Sequence, residues 1–76
     1  MSSRLSPVGI RKLEQILHQL GFQLVRQKGS HAFYGHQDGR TTLVSVHKGE
    51  DIGRGLLRKI IKEDLKMSVE DFNKLR

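Results

Sequence analysis

The residues best suited to chemistry are Lys28-Gly29-Ser30-His31, with Arg26 just upstream. An unperturbed imidazole titrates near pH 6.5, so one histidine can take or give a proton near neutrality. A proton carrier beside two cations suits acid/base work next to a phosphate of a polyanionic partner. Gly29 leaves backbone room beside the imidazole, and Ser30 can hydrogen-bond locally. Taken alone, the triplet also fits a polar strand start, so position leaves His31 open between acid/base group and surface residue.

The other histidines are weaker candidates. His36 lies at the far end of the strand that His31 begins. In an antiparallel hairpin the following strand returns towards His31, which makes Ser45 and His47 its nearer neighbours. His47 is either a second group that positions RNA or a proton, or an exposed loop residue. His18 falls on the polar side of a helix, where solvation is sufficient explanation. The four histidines have no paired helical spacing and the chain has no cysteine, so neither a metal nor another cofactor is expected. Arg54, Arg58 and Lys62 recur every four residues, as a solvated helix face or as a phosphate track beside the His31 corner. Tyr34 could stack on a base, although for a single tyrosine packing is the better reading.

The elements that must position these groups follow from periodicity and punctuation. Ser6-Pro7 has the form of a helix start, and residues 1–5 read as a loose tail. Ile10, Leu13, Ile16, Leu17 and Leu20 fall within an arc of about 120°, and Gly21 is a stop signal. This predicts a helix over residues 7–20. Phe22 to Gln27 reads as a strand bounded by Gly21 and Gly29, although Leu24 and Val25 break its alternation. A second strand runs from His31 to His36. Asp38-Gly39 signals a hairpin into a third, Thr41 to Val46, with Thr42, Val44 and Val46 on one face and Thr41, Leu43, Ser45 and His47 on the other. A second helix is expected from Ile52 or Gly53 to Asp64, with Ile52, Leu56, Leu57, Ile60 and Ile61 as its apolar half. Ser68 and Asp71 form a capping box for a short last helix, Val69 to Leu75, pinned by Phe72.

The predicted class is therefore α+β, in the order α-β-β-β-α of double-stranded-RNA-binding domains. A three-stranded antiparallel sheet carries two helices on one face, and a short C-terminal helix follows. Packing both apolar stripes on one sheet face leaves the other face open. The length, 76 residues, suits one small domain, which buries only roughly 60% of its unfolded surface. Fourteen basic against 8 acidic residues give a net charge of +6, which points to a polyanionic partner. No apolar run approaches the ~18 residues that a membrane span needs. The N-terminus lacks the apolar stretch of a signal peptide, so a cytoplasmic domain is the simple expectation.

One stretch resembles a known family. Gly21-Phe22, Leu24-Val25-Arg26-Gln27-Lys28-Gly29-Ser30-His31 and Tyr34 are similar to the signature of HicA toxins. The likeness continues through His36, Asp38-Gly39-Arg40, His47 and Gly55-Leu56-Leu57-Arg58-Lys59-Ile60, covering about residues 8 to 72. The resemblance implies a double-stranded-RNA-binding-like fold and an mRNA interferase that cleaves mRNA and arrests growth. It also implies a HicB-like antitoxin that occludes the site, and His31 as the catalytic residue. Arg26, Lys28, Ser30, His47, Arg54 and Arg58 are the expected RNA- or phosphate-binding residues. Many members have proline where this chain has Gln37 and Ser45. Neither departure touches the Gly-Ser-His triplet; both bear on loop and edge geometry.

Overall fold

A computed structural model of the chain describes residues 4–45 and 51–76. Its first helix, α1 (Ile10–Gln19), buries Leu13, Ile16 and Leu17 completely. The stop is a Schellman motif: Gly21 N–H donates to the His18 carbonyl at 3.0 Å and Phe22 N–H to that of Leu17 at 2.9 Å. Gly21 takes φ +96°, which only glycine adopts cheaply.

The start of α1 differs from the expectation. Ser6 and Pro7 do not open the helix. They lead into β1 (Val8–Gly9), which pairs antiparallel with β5 (Asp51–Ile52). Val8 and Ile52 face each other in this pair and both enter the core. Burying those two side chains requires extended backbone where a helical turn had been expected. Nor is the chain before it a loose tail at residues 4 and 5. Leu5 is buried, and Asn73 Nδ2 donates to the Arg4 carbonyl at 2.6 Å. Arg76 donates to the carbonyls of Ser6 and Pro7 at 2.9 and 3.0 Å.

The three-stranded sheet has the order β2-β3-β4 and is antiparallel throughout: β2 is Gln23–Lys28, β3 His31–Gly35 and β4 Thr41–Ser45. The broken alternation at Leu24 and Val25 is a β-bulge. Leu24 pairs with Tyr34 and Arg26 with Phe33, so Val25 is the extra residue. Between β3 and β4, Gly39 N–H donates to the His36 carbonyl and His36 N–H to the Arg40 carbonyl, both at 2.9 Å. Gly39 has φ +98° while Asp38 has no positive φ, so the loop is three residues, 37–39, with the glycine in the left-handed position at its end rather than a two-residue Asp-Gly turn. Ala32, Tyr34 and Val44 point into the core, as does Thr42.

Helix α2 (Arg54–Lys59) continues into a π-helical turn over Ile60–Asp64, in which Leu65 N–H reaches back to the Ile60 carbonyl at 2.8 Å. The expectation was one regular helix. The extra residue in the turn lets Ile60, Ile61 and Leu65 all face the core. Leu56, expected in the apolar half, is 52% exposed. At 100° per residue it lies about 90° from the centre of the Leu57, Ile60 and Ile61 arc. The buried Thr42 hydroxyl donates to Asp64 Oδ2 at 2.9 Å, which ties the end of the π turn to β4. Helix α3 (Val69–Lys74) begins as expected: Asp71 N–H donates to Ser68 Oγ at 3.0 Å. Phe72 is fully buried beneath it.

The fold is thus the expected double-stranded-RNA-binding-like α+β arrangement, with the short β1–β5 ladder added. One cluster joins the helical stripes to the inner sheet face. The outer face carries none of that core.

Candidate nucleic-acid-cleaving site on the open sheet face

Strand register decides which side chains meet. Lys28 pairs with His31, and His31 with Ser45, so these three form one row across the outer face. Arg26 pairs with Phe33, and Phe33 with Leu43, forming the next row. Val25 completes a shallow groove of about 510 Å³ lined by Val25, Arg26, Lys28, His31, Phe33 and Leu43. Its floor is apolar and its rim cationic. Among the described residues no ion pair engages Arg26 or Lys28, and no hydrogen bond engages the His31 ring.

The turn into β3 sets the position of His31. Gly29 has φ +59° and Ser30 does not have a positive φ, which is the sign pattern of a type II′ hairpin turn, with glycine required at its first central position. Gln27 Nε2 donates to the Gly29 carbonyl at 3.3 Å. A β-carbon at Gly29 would touch nothing; the constraint there is the dihedral angle alone.

The remaining candidates separate. Ser30 lies in the turn, outside the groove lining. His47 lies outside the described residues. Arg54 and Arg58 line a different groove, with Arg4, Leu5, Ser6 and Pro7, so the structure does not bring them beside His31. His36 is engaged at both nitrogens. Its Nε2–H donates to the Leu20 carbonyl at 2.8 Å, and Nδ1 accepts from Asp38 N–H at 3.0 Å. It joins the end of α1 to the β3–β4 turn. Tyr34 is buried, with its hydroxyl donating to Glu14. Burial, then that hydrogen bond, pushes its phenol pKa well up. Packing is therefore its role. His18 is exposed, with its ring edge-on to Tyr34 at 6.0 Å.

The residues that sequence reasoning missed are Phe33 and Val25, which with Leu43 make the floor. The signal was present for Phe33: in a strand of period two it must share a face with His31. Val25 could not be placed, because the bulge shifts its register.

The family model described as HicA toxin of bacterial toxin-antitoxin matches residues 10–64. The chain belongs to the HicA toxin family. The match spans α1, the whole sheet, α2 and the π turn, and so includes every residue of the groove. Membership places this HicA chain in a toxin–antitoxin system with an antitoxin as partner. No curated protein and no solved structure matches it. Among the described residues no helix is long and apolar enough to cross a membrane.

Proposed function

We propose that this HicA chain is an mRNA interferase, a metal-independent endoribonuclease of the cytoplasm, with His31 as its general acid/base. The observation that carries this is the arrangement of His31, Lys28 and Arg26 in adjoining rows of one open sheet face. A phosphodiester lying across the rows meets two cations, and a histidine that can exchange a proton with the 2′-hydroxyl or the leaving oxygen. Ser45, directly opposite His31, can hold the ribose or phosphate by a hydrogen bond. His47, two positions further on, is a second candidate for that work. Ser30 can donate to a phosphate from the turn. Arg54 and Arg58, in their own groove, serve as backbone contacts away from the scissile bond. A HicB-like antitoxin inhibits by covering the open face.

The same face supports a second reading, a non-catalytic RNA-binding module, because cations and an apolar floor suffice for binding. Induced expression in a bacterial host separates the two. The interferase stops growth and depletes mRNA, and His31→Ala lowers cleavage by about a hundredfold or more. Because His31 is exposed, its melting temperature stays within a degree or two of wild type. A His31→Ala protein that is equally toxic disproves the assignment. A harmless wild type that binds RNA with steep salt dependence establishes the silent module.

A further inference from the structure

The groove beside His31 has an apolar floor that phosphate chemistry does not use. Val25 and Leu43 are 62% and 54% exposed, and Phe33 lies half-buried between them. None of the three belongs to the core, so their apolar character contributes little to folding. Exposed aliphatic surface around an aromatic ring, rimmed by two cations that form no ion pair among the described residues, calls for a ligand with a flat apolar face and a nearby anion. A nucleotide with its base unstacked has both.

We propose that Val25, Phe33 and Leu43 seat one unpaired nucleobase of the RNA, stacked on the Phe33 ring, with its flanking phosphate on Arg26 and Lys28. This rests on the RNA reading above and names the substrate class: single-stranded, with a splayed base. The Phe33 row lies two strand residues from the His31 row, roughly 7 Å along the sheet. A base on Phe33 therefore presents its own sugar–phosphate to His31. Duplex RNA keeps its bases stacked and is recognised by shape, so it cannot fill this floor. Phe33 is here a positioning and specificity residue, while His31 does the proton transfer.

The experiment uses the full chain and a fluorescein-labelled single-stranded RNA, alongside the same length of abasic ribose-phosphate. Binding is read by anisotropy in a His31→Ala background, and cleavage by initial rates with His31 intact. Stacking is worth about 1–3 kcal/mol per base, so Phe33→Ala raises Kd and KM for the RNA about 5- to 150-fold. Its kcat stays within about threefold, Phe33→Trp recovers most of the affinity, and the abasic strand binds wild type and Phe33→Ala alike. Thermal unfolding confirms that each variant is folded. Unchanged Kd and KM in folded Phe33→Ala overturn the proposal, as does an equal loss on the abasic strand. So does a loss confined to antitoxin binding, which makes the floor a protein-docking surface. If wild type binds the RNA through Phe33 but cleaves nothing, the base site stands and the catalytic reading fails. If it binds no RNA, both fail.

Discussion

His31 opens β3 and His36 follows its last residue, yet the two imidazoles have opposite circumstances. Both His36 nitrogens are occupied by backbone partners, Leu20 and Asp38. A β-carbon on Gly21 would come within 2.9 Å of its Nε2, so the contact is close as well as bonded. His36→Ala leaves the Leu20 carbonyl and the Asp38 amide without that partner. It should cost about 1–3 kcal/mol in chemical denaturation and leave kcat for RNA within about twofold. A kcat collapse in folded protein would make His36 part of the site. Gly29 acts on His31 through backbone alone. Gly29→Ala forces a side chain into the left-handed region and should lower stability by about 1–2 kcal/mol. An unchanged unfolding midpoint would show that the turn relaxes. His31 as the strand-start histidine was legible from its triplet. Tyr34 as packing followed from its being the chain's single tyrosine. Phe33 has no polar atom to mark it as a site residue, although the period-two pattern places it on the His31 face.

Among the elements, the β3–β4 turn has a titratable component. Arg40 N–H donates to Asp38 Oδ1 at 3.0 Å, and Arg40 Nε to Oδ2 at 2.7 Å. The backbone N–H of Arg40 is the main reason the Asp38 carboxyl sits below its usual range. Desolvation opposes this, and the Arg40 side chain, then His36, lower it further. A depressed folded pKa stabilises above the unfolded value, near 4, and that contribution is lost as pH falls through the folded pKa. Wild type should therefore lose stability on acidification below about pH 4 more steeply than Asp38→Asn. Parallel curves for the two would remove Asp38 from the acid transition. Arg40 also stacks on Phe22 at 5.1 Å and donates to the Leu65 carbonyl at 2.6 Å, so this turn reaches the far end of the π-helical segment. Asp-Gly announced the hairpin, and Ser68 with Asp71 announced α3, because each is a local signal. The β1–β5 ladder left none. Two residues pair with a segment distant in sequence, and only burial of Val8 against Ile52 selects it. The π turn was equally hidden, since Ile60, Ile61 and Leu65 fit a regular helix nearly as well on paper.

At the scale of the molecule, the charge excess of +6 is distributed over more than one surface. Arg26 and Lys28 rim the His31 groove, while Arg4, Arg54 and Arg58 share another. For single-stranded RNA each phosphate contact contributes about 0.7 to the slope of log affinity against log salt. The Arg26→Ala, Lys28→Ala double variant should therefore flatten that slope by about 1.4. No change would move the RNA path off this face. The net charge was readable in the sequence. Its division between two grooves was not, because helical spacing says which arginines share a face but not which strand that face adjoins.

The alternation along β3 gives the sheet two independent sides. Ala32 and Tyr34 lie in the core, whereas His31 and Phe33 face solvent. Folding therefore exerts little scrutiny on the outer residues. If the chain is expressed as a toxin and survivors are collected, they should fall into two populations. Changes at Leu13, Leu57, Ile61 or Phe72 rescue cells by depleting the protein. Changes at Arg26, Lys28, His31 or Phe33 rescue them while it accumulates at full abundance. Those of the second kind that leave the antitoxin's cover of the open face intact would persist as decoys, drawing neutraliser away from any working copy beside them.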